Sequence, residues 1–238
     1  MIKSLIKKTL ERNGFEIRRY PDADLARRLQ LLKTFQINLV LDIGANTGQY
    51  ASQLLNLGFG GRVISFEPLS SAYRPLAAAA EKNNNWDARN MAIGNMDGEI
   101  EINISENSYS SSILPMLDNH LENAPNSRYI DKEKVAIHKL DTLLPQIASP
   151  EDKIYLKIDT QGYEKNVLEG AAQVLDRIAG IQLEMSLVPL YGTDFLYQDV
   201  LNFMQRNGFS LYSIETGFSS PHTGQLLQAD GIFFRNNK

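Results

Sequence analysis

The residues best suited to chemistry stand where apolar runs end. In the stretch LVLDIGANTGQYA, Asp42 lies near the close of an apolar run and is followed by Gly44, Asn46 and Gly48. A glycine at the C-terminal end of a parallel strand lets the backbone turn sharply and lets a ligand approach without a Cβ in the way, and the helix that follows offers free N–H groups. Two glycines spaced G-x-x-x-G fall one short of the G-x-G-x-x-G fingerprint that seats a pyrophosphate. An acid beside the bend suits a cationic ligand instead, one that carries an ammonium and a sulfonium, which is the charge pattern of S-adenosylmethionine. Glu67 follows the second apolar run, RVISF, and lies 19 residues beyond Gly48. A carboxylate there can accept both ribose hydroxyls of a nucleoside.

Further acids lie downstream. Asp159 ends KIYLKID and Glu184 falls near the end of IAGIQLEM, which puts both on the side of an open α/β sheet where ligands bind. Glu164 is either a third functional acid or an ordinary first-turn helix acid favoured by the dipole; Glu184 is alternatively a cap or a salt-bridge partner. His222 sits in a polar loop, SSPHTGQ, before the last strand. A divalent metal held by Asp159, Glu184 and His222 is an alternative arrangement, although no tight ligand spacing supports it. The block NSYSSSIL offers Asn107, Ser110 and Ser111 as hydroxyl and amide contacts for a polyhydroxylated substrate, or as part of a lid; the plain alternative is a flexible polar loop.

These residues need a frame of alternating strands and helices. Apolar runs predict strands at 38–43, 62–66, 88–92, 99–104, 153–159, 178–185, 210–214 and 231–234. Helical periodicity predicts helices over 47–57, from about 71 to 82, over 163–175 and over 199–207, with Pro75 forcing a later start or a bend in the second. Residues 105–133 have weak periodicity and read as a long substrate or lid loop. That alternation specifies an α/β fold with a mostly parallel sheet.

Length and composition set the limits. A chain of 238 residues, 43% hydrophobic and 22% charged, is that of a globular protein, and no run approaches the roughly 18 apolar residues of a membrane span. Without cysteine there are no disulfides, thiolate nucleophiles or Cys-based zinc sites. Lys3, Lys7, Lys8 and Glu11 interrupt the N-terminal apolar residues, so a signal peptide is not expected and a cytoplasmic location is. Residues 1–33 hold nine Lys/Arg against four Asp/Glu, a surplus of +5 that leaves −9 for the remainder to reach the net −4. We therefore divide the chain into a helical extension, residues 1–36, and a domain over 37–238. Ile2, Leu5, Ile6 and Leu10 form an apolar stripe that docks on the domain or makes a weak peripheral contact with an anionic membrane. The acidic remainder lacks the basic stripe that a nucleic-acid partner requires.

Taken in order, VLDIGANTGQYA, ISFEPLSSAYRPL, NMAIGNMDGEIEI, NSYSSSIL, LDTLL and LKIDTQGYEKNVLEGA resemble the FkbM family of S-adenosylmethionine-dependent methyltransferases over about residues 38–186. The resemblance implies a class I methyltransferase (Rossmann-like) fold: a seven-stranded, mostly parallel sheet with helices on both faces and a final antiparallel hairpin. It also implies O-methylation, commonly of sugar hydroxyls or polyketide-type natural products. By motif position, Asp42, Gly44, Asn46 and Gly48 would surround the methionine part of the cofactor, Glu67 would hold its ribose and Ala92 would lie by the adenine. Where many relatives have D-x-E-G, this chain has Asp159-Thr160-Gln161-Gly162, so no role resting on a carboxylate at residue 161 carries over. Methyl transfer to an alcohol needs the hydroxyl aligned and deprotonated, work open to Asp159, Glu164, Glu184 or His222. The competing readings are a noncatalytic nucleoside-binding or scaffolding domain and a nucleotide-dependent oxidoreductase.

Overall fold

The computed structural model describes residue 10 and residues 12–15, 20–192 and 195–236. The chain divides into two compact units, Met1–Thr34 and Phe35–Lys238. The first contains α1 (Ala23–Thr34), whose N-terminus is capped by Asp22: its Oδ1 accepts the Leu25 N–H at 2.8 Å. Ile2, Leu5 and Ile6 of the expected apolar stripe lie outside the described residues. No helix among the described residues is long and apolar enough to cross a membrane.

The second unit is built on a seven-stranded sheet of order β3-β2-β1-β7-β8-β10-β9. Its strands are β1 (Leu39–Ile43), β2 (Arg62–Phe66), β3 (Trp86–Arg89), β7 (Ile154–Ile158), β8 (Ile178–Ser186), β9 (Phe209–Thr216) and β10 (Gln228–Arg235). β10 runs antiparallel to both its neighbours, β8 and β9, while β1, β2, β3, β7 and β8 are parallel. Every residue of β1 and β7 is buried, as strands covered on both faces must be. The crossover helices are α2 (Gln49–Asn56) and α3 (Ser70–Ala80) on one side of the order reversal, with α6 (Glu164–Glu169) and α7 (Tyr197–Arg206) on the other. Because crossovers are right-handed and the order reverses between β1 and β7, the two sets cover opposite faces.

Between β3 and β7 the chain makes a second, smaller sheet, β4 (Ala92–Ile93), β5 (Gly98–Ser105) and β6 (Tyr129–His138) in the order β4-β6-β5, followed by α5 (Leu140–Ile147). This departs from the expected strand over 88–92, which is two strands in two sheets. Asn90 explains the break: its Nδ2 donates to the carbonyls of Glu67 (2.9 Å) and Pro68 (2.8 Å), pulling the chain off the large sheet before Ala92.

The expected loop over 105–133 is also shorter than predicted. It contains α4 (Asp118–Asn123), a 3-10 turn at Pro125–Ser127 and the first half of β6. The charge-rich stretch of β6 hides its strand character, because Lys132 and Lys134 pair across the ladder with Glu101 and Glu99 of β5 rather than facing a core. Glu133 of the same strand accepts the Ser70 N–H and hydroxyl at the start of α3, which begins at Ser70 rather than later and holds Pro75 inside it. The expected helix over 163–175 ends instead at Glu169. The next residue, Gly170, abuts the Gly94 backbone so closely that a Cβ would lie 1.8 Å from the Gly94 carbonyl oxygen.

Candidate active site

Where the strand order reverses, the turns after β1 and β7 meet: the Asp159 N–H donates to the Ile43 carbonyl at 3.0 Å. A cleft of about 850 Å³, counted out to its open mouth, lies above them, the position at which open α/β sheets bind ligands. Gly44, at φ +74°, makes the meeting possible, since a Cβ there would stand 1.8 Å from the Asp159 carbonyl oxygen. The sequence assigned this glycine to ligand approach; what the structure shows is a contact between two turns of the chain that leaves no room for a Cβ.

Glu67 ties the glycine turn to the start of α3. Its Oε2 accepts the Asn46 N–H at 2.8 Å and its Oε1 accepts the Leu69 N–H at 2.9 Å, while the residue, 5% exposed, lines the cleft. Burial pushes the Glu67 pKa up to about 7 against the pull of those two hydrogen bonds, with Asp42 adding to the rise. Beside it, Phe66, Leu69, Met91, Ala92 and Ile93 form an apolar wall. Ala92 therefore reaches the cleft from the small sheet, not from the end of β3.

Asp42 and Gly48 lie beneath this surface rather than on it. Asp42 is fully buried, with Lys157 Nζ 3.2 Å from its Oδ1 and the Ser65 hydroxyl donating to its Oδ2 at 3.1 Å. The register Ser65–Asp42–Lys157–Gln182 makes this a polar row across four strands, extended by Trp86 Nε1 donating to Ser65 Oγ and by Gln182 Nε2 donating to Asp230. The sequence reading aimed the Asp42 charge at a cationic ligand, whereas the nearest cation is Lys157. Burial would lower the Lys157 pKa, but Asp42, Asp159 and Asp230 around it raise it above the ordinary lysine value. Gly48 packs on Trp86, where a Cβ would come within 2.7 Å of the indole.

The acids on the opposite wall are Asp159 and Glu184. Gln161 joins them, its Nε2 donating to Asp159 Oδ1 at 2.8 Å and to Glu184 Oε2 at 3.2 Å. Gln228 Nε2 also donates to Glu184 Oε2, at 2.7 Å. Burial first, then the carboxylates of Asp159, Glu164 and Asp230, hold Glu184 well above the usual carboxylate range, with Lys157 opposing. Glu164 does not line the cleft. Its Oε1 accepts the Thr160 N–H, the Thr160 hydroxyl and the Gly162 N–H, which fixes the turn that carries Gln161, and burial pushes its pKa up to about 7.

Of the serine block, Ser111 lines the cleft together with Ser108, Tyr109 and Ser112. Asn107 and Ser110 turn inward: Asn107 Nδ2 donates to Ser110 Oγ and Ser127 Oγ, and its Oδ1 accepts the Ser105 hydroxyl, so these two hold the loop instead of lining it. His222 is exposed and does not line the cleft; its Nε2 lies 3.3 Å from the Glu122 carbonyl oxygen. The triad of Asp159, Glu184 and His222 is not assembled, and no three metal-ligating side chains gather among the described residues.

The sequence profile of the FkbM methyltransferase domain matches residues 42–211, a span that holds the glycine turn, Glu67, the serine loop and both wall acids. The chain belongs to the FkbM family. It is an S-adenosylmethionine-dependent methyltransferase, and the order of its sheet is that of the class I fold. Among solved structures, this FkbM domain is similar to magnesium protoporphyrin IX methyltransferase from Synechocystis with bound SAM (11% identity, TM-score 0.48, 90% of this chain and 78% of that one). It is also similar to precorrin-6y C5,15-methyltransferase from Geobacter metallireducens (12%, 0.48, 94% and 95%) and to an rRNA methylase from Streptococcus thermophilus (10%, 0.48, 94% and 100%). None of these likenesses bears on the substrate. No curated protein matches the chain in sequence.

The walls of the FkbM domain fit S-adenosylmethionine. A nearly buried carboxyl, Glu67, lines the same cleft as an apolar wall that would suit a purine and a glycine turn that would suit the amino-acid end. Sequence reasoning missed Lys157, although a lone lysine inside the apolar run IYLKI is a visible signal. Gln228 and Tyr191, whose hydroxyl donates to Gln161 Oε1 at 2.7 Å, carry no local signal at all, because only the pairing of β8 with β10 and the path after β8 bring them to the acids.

Proposed function

We propose that this FkbM domain methylates a hydroxyl oxygen of a small polyhydroxylated acceptor, a sugar, glycan or natural product, and does not act on nucleic acid. The observation that carries this reading is the pair of acids, Asp159 and Glu184, sharing one cleft with the hydroxyl-bearing rim of Ser108, Tyr109, Ser111 and Ser112. When bound, S-adenosylmethionine supplies an electrophilic methyl on a sulfonium. Glu67 would accept the ribose hydroxyls, Met91, Ala92 and Ile93 would flank the purine, and the turn at Gly44 and Asn46 would hold the amino-acid end. Asp159, with Oδ2 3.4 Å from Lys157 Nζ, orients the acceptor hydroxyl. In its ionised form Glu184 would take the hydroxyl proton as the oxygen–methyl bond forms and the sulfur–methyl bond breaks to release S-adenosylhomocysteine, burial making that carboxylate a stronger base than an exposed one.

Calorimetric titration with S-adenosylmethionine and S-adenosylhomocysteine, with NAD as a control, tests the cofactor. Methyl-labelled cofactor offered with sugars, glycans, polyketide-type alcohols and RNA then tests the acceptor. The expected product is a methyl ether on an alcohol oxygen. Label appearing on nitrogen, carbon or RNA refutes the acceptor reading, and cofactor binding with no transfer across the panel favours a nucleoside-binding domain.

A further inference from the structure

Gln161 stands at the centre of the acid wall with every polar atom of its amide engaged. It and Gly162 both adopt left-handed backbone, at φ 54° and 95°, which sends its side chain back over the strand ends. The two amide N–H groups divide between Asp159 and Glu184, and the carbonyl accepts the Tyr191 hydroxyl, an arrangement that settles which way the amide faces. Its backbone is held as well: the carbonyl of residue 161 accepts the Ser112 hydroxyl at 2.7 Å. Tyr191, 1% exposed, packs on the His120 ring and is bridged to Met116, so the chain between β5 and β6 supports the orientation from outside the large sheet.

We propose that Gln161 is a positioning residue for the transfer: by giving one proton to each of two carboxylates it sets Asp159 and Glu184 facing the same volume, and its neutrality stops the pair from becoming a cation-binding cluster. A glutamate of the same length has no proton for either acid. It would turn two bridged carboxylates into three converging ones, a hard-cation donor set. An apolar side chain of similar size would keep the packing and remove both donors. The proposal rests on the reading of Asp159 and Glu184 as the acids that serve the acceptor, but it is testable without any acceptor.

The charged and titratable groups that face Glu184 are Asp159 after β7, Glu164 of α6, Asp230 of β10, Lys157 of β7 and Tyr191 after β8. All are retained when Gln161 alone is changed. Carboxyl-labelled protein, titrated by carbon NMR as wild type, Gln161→Met and Tyr191→Phe, reports the acid pair directly. We expect the Glu184 carboxyl to titrate about one unit higher in Gln161→Met than in wild type, and higher by less in Tyr191→Phe, because a carboxylate that loses an N–H donor favours the protonated form. The affinity for S-adenosylhomocysteine should stay within about twofold, a split that a general loss of structure would not give. Unchanged carboxyl titration in folded Gln161→Met overturns the proposal. In a second arm, Gln161→Glu is titrated with Mn²⁺ and followed by calorimetry. Affinity at least about tenfold tighter than wild type is expected, and no gain in a folded variant overturns the neutrality argument. Should Gln161→Met fail to fold, the titration of Tyr191→Phe decides the positioning claim, and should Gln161→Glu fail to fold, Gln161→Asp takes its place in the Mn²⁺ titration. Neither arm requires methyl transfer, so a failed acceptor screen leaves both results interpretable.

Discussion

Cofactor binding should depend on pH through Glu67. In the protein without cofactor, burial lifts this carboxyl from 4.5 to about 7. Two ribose hydroxyls can donate fully only to the carboxylate form, so binding selects the ionised state. At about pH 5.5 a group of pKa about 7 is roughly 3% ionised, which weakens the apparent affinity about thirtyfold relative to the plateau above about pH 8, or about 2 kcal/mol. The sign for the free protein is opposite. A carboxyl whose pKa is raised on folding binds more protons folded than unfolded, so its contribution to stability is lost progressively as pH rises from about 4.5 to about 7. Calorimetric titration with S-adenosylhomocysteine from about pH 5.5 to 8, in two buffers of different ionisation enthalpy, measures both the affinity and the proton released, which approaches one per site at the acidic end. Glu67→Gln keeps the packing and should flatten the profile, which separates Glu67 from Glu164 and Glu184. An affinity that is flat across this range in wild type, or an unchanged slope in Glu67→Gln, refutes the reasoning.

Other outcomes follow from the same geometry. Lys157→Met leaves Asp42 buried without its cation and should cost about 3–5 kcal/mol, a fall in thermal midpoint of roughly 10 °C, with most of the loss recovered in the double variant Asp42→Asn/Lys157→Met. Gly58 and Gly44 both have positive φ, but a Cβ at Gly58 meets nothing within 4 Å. Gly58→Ala should therefore cost only about 1–2 kcal/mol in chemical denaturation, whereas Gly44→Ala should cost more and abolish cofactor binding in calorimetry. His222→Ala should change neither the thermal midpoint nor the affinity for S-adenosylhomocysteine; a tenfold weaker affinity would return His222 to the site.

The fold was legible because it rests on local patterns. The wholly buried strands β1 and β7 are continuous apolar runs, and the bend at Gly44 and the acid at Glu67 occupy the ends of such runs, so the order of elements and half of the cleft can be read along the chain. The small sheet was not legible. β6 is stabilised by cross-strand ion pairs with β5 rather than by a core face, and Asn90 diverts the chain through its side chain, neither of which leaves a hydrophobic period to read.

The same division holds within the site. Residue type and strand-end position identified Asp159 and Glu184 as wall acids, since both depend only on where a strand stops. They could not distinguish Glu164, which secures a turn, from an acid that faces the cleft, nor Ser111 from the inward-facing Ser110 one residue earlier. By itself the sequence determined the order of strands and helices and which strand ends carry glycine or acid, because those follow from periodicity and covalent neighbours. Only the tertiary structure decided what each charge faces. Lys157 reaches Asp42 across 115 residues, and Gln161 meets Glu184 and Tyr191 through strand pairing and a loop path, with energies set by burial and distance rather than by position in the chain.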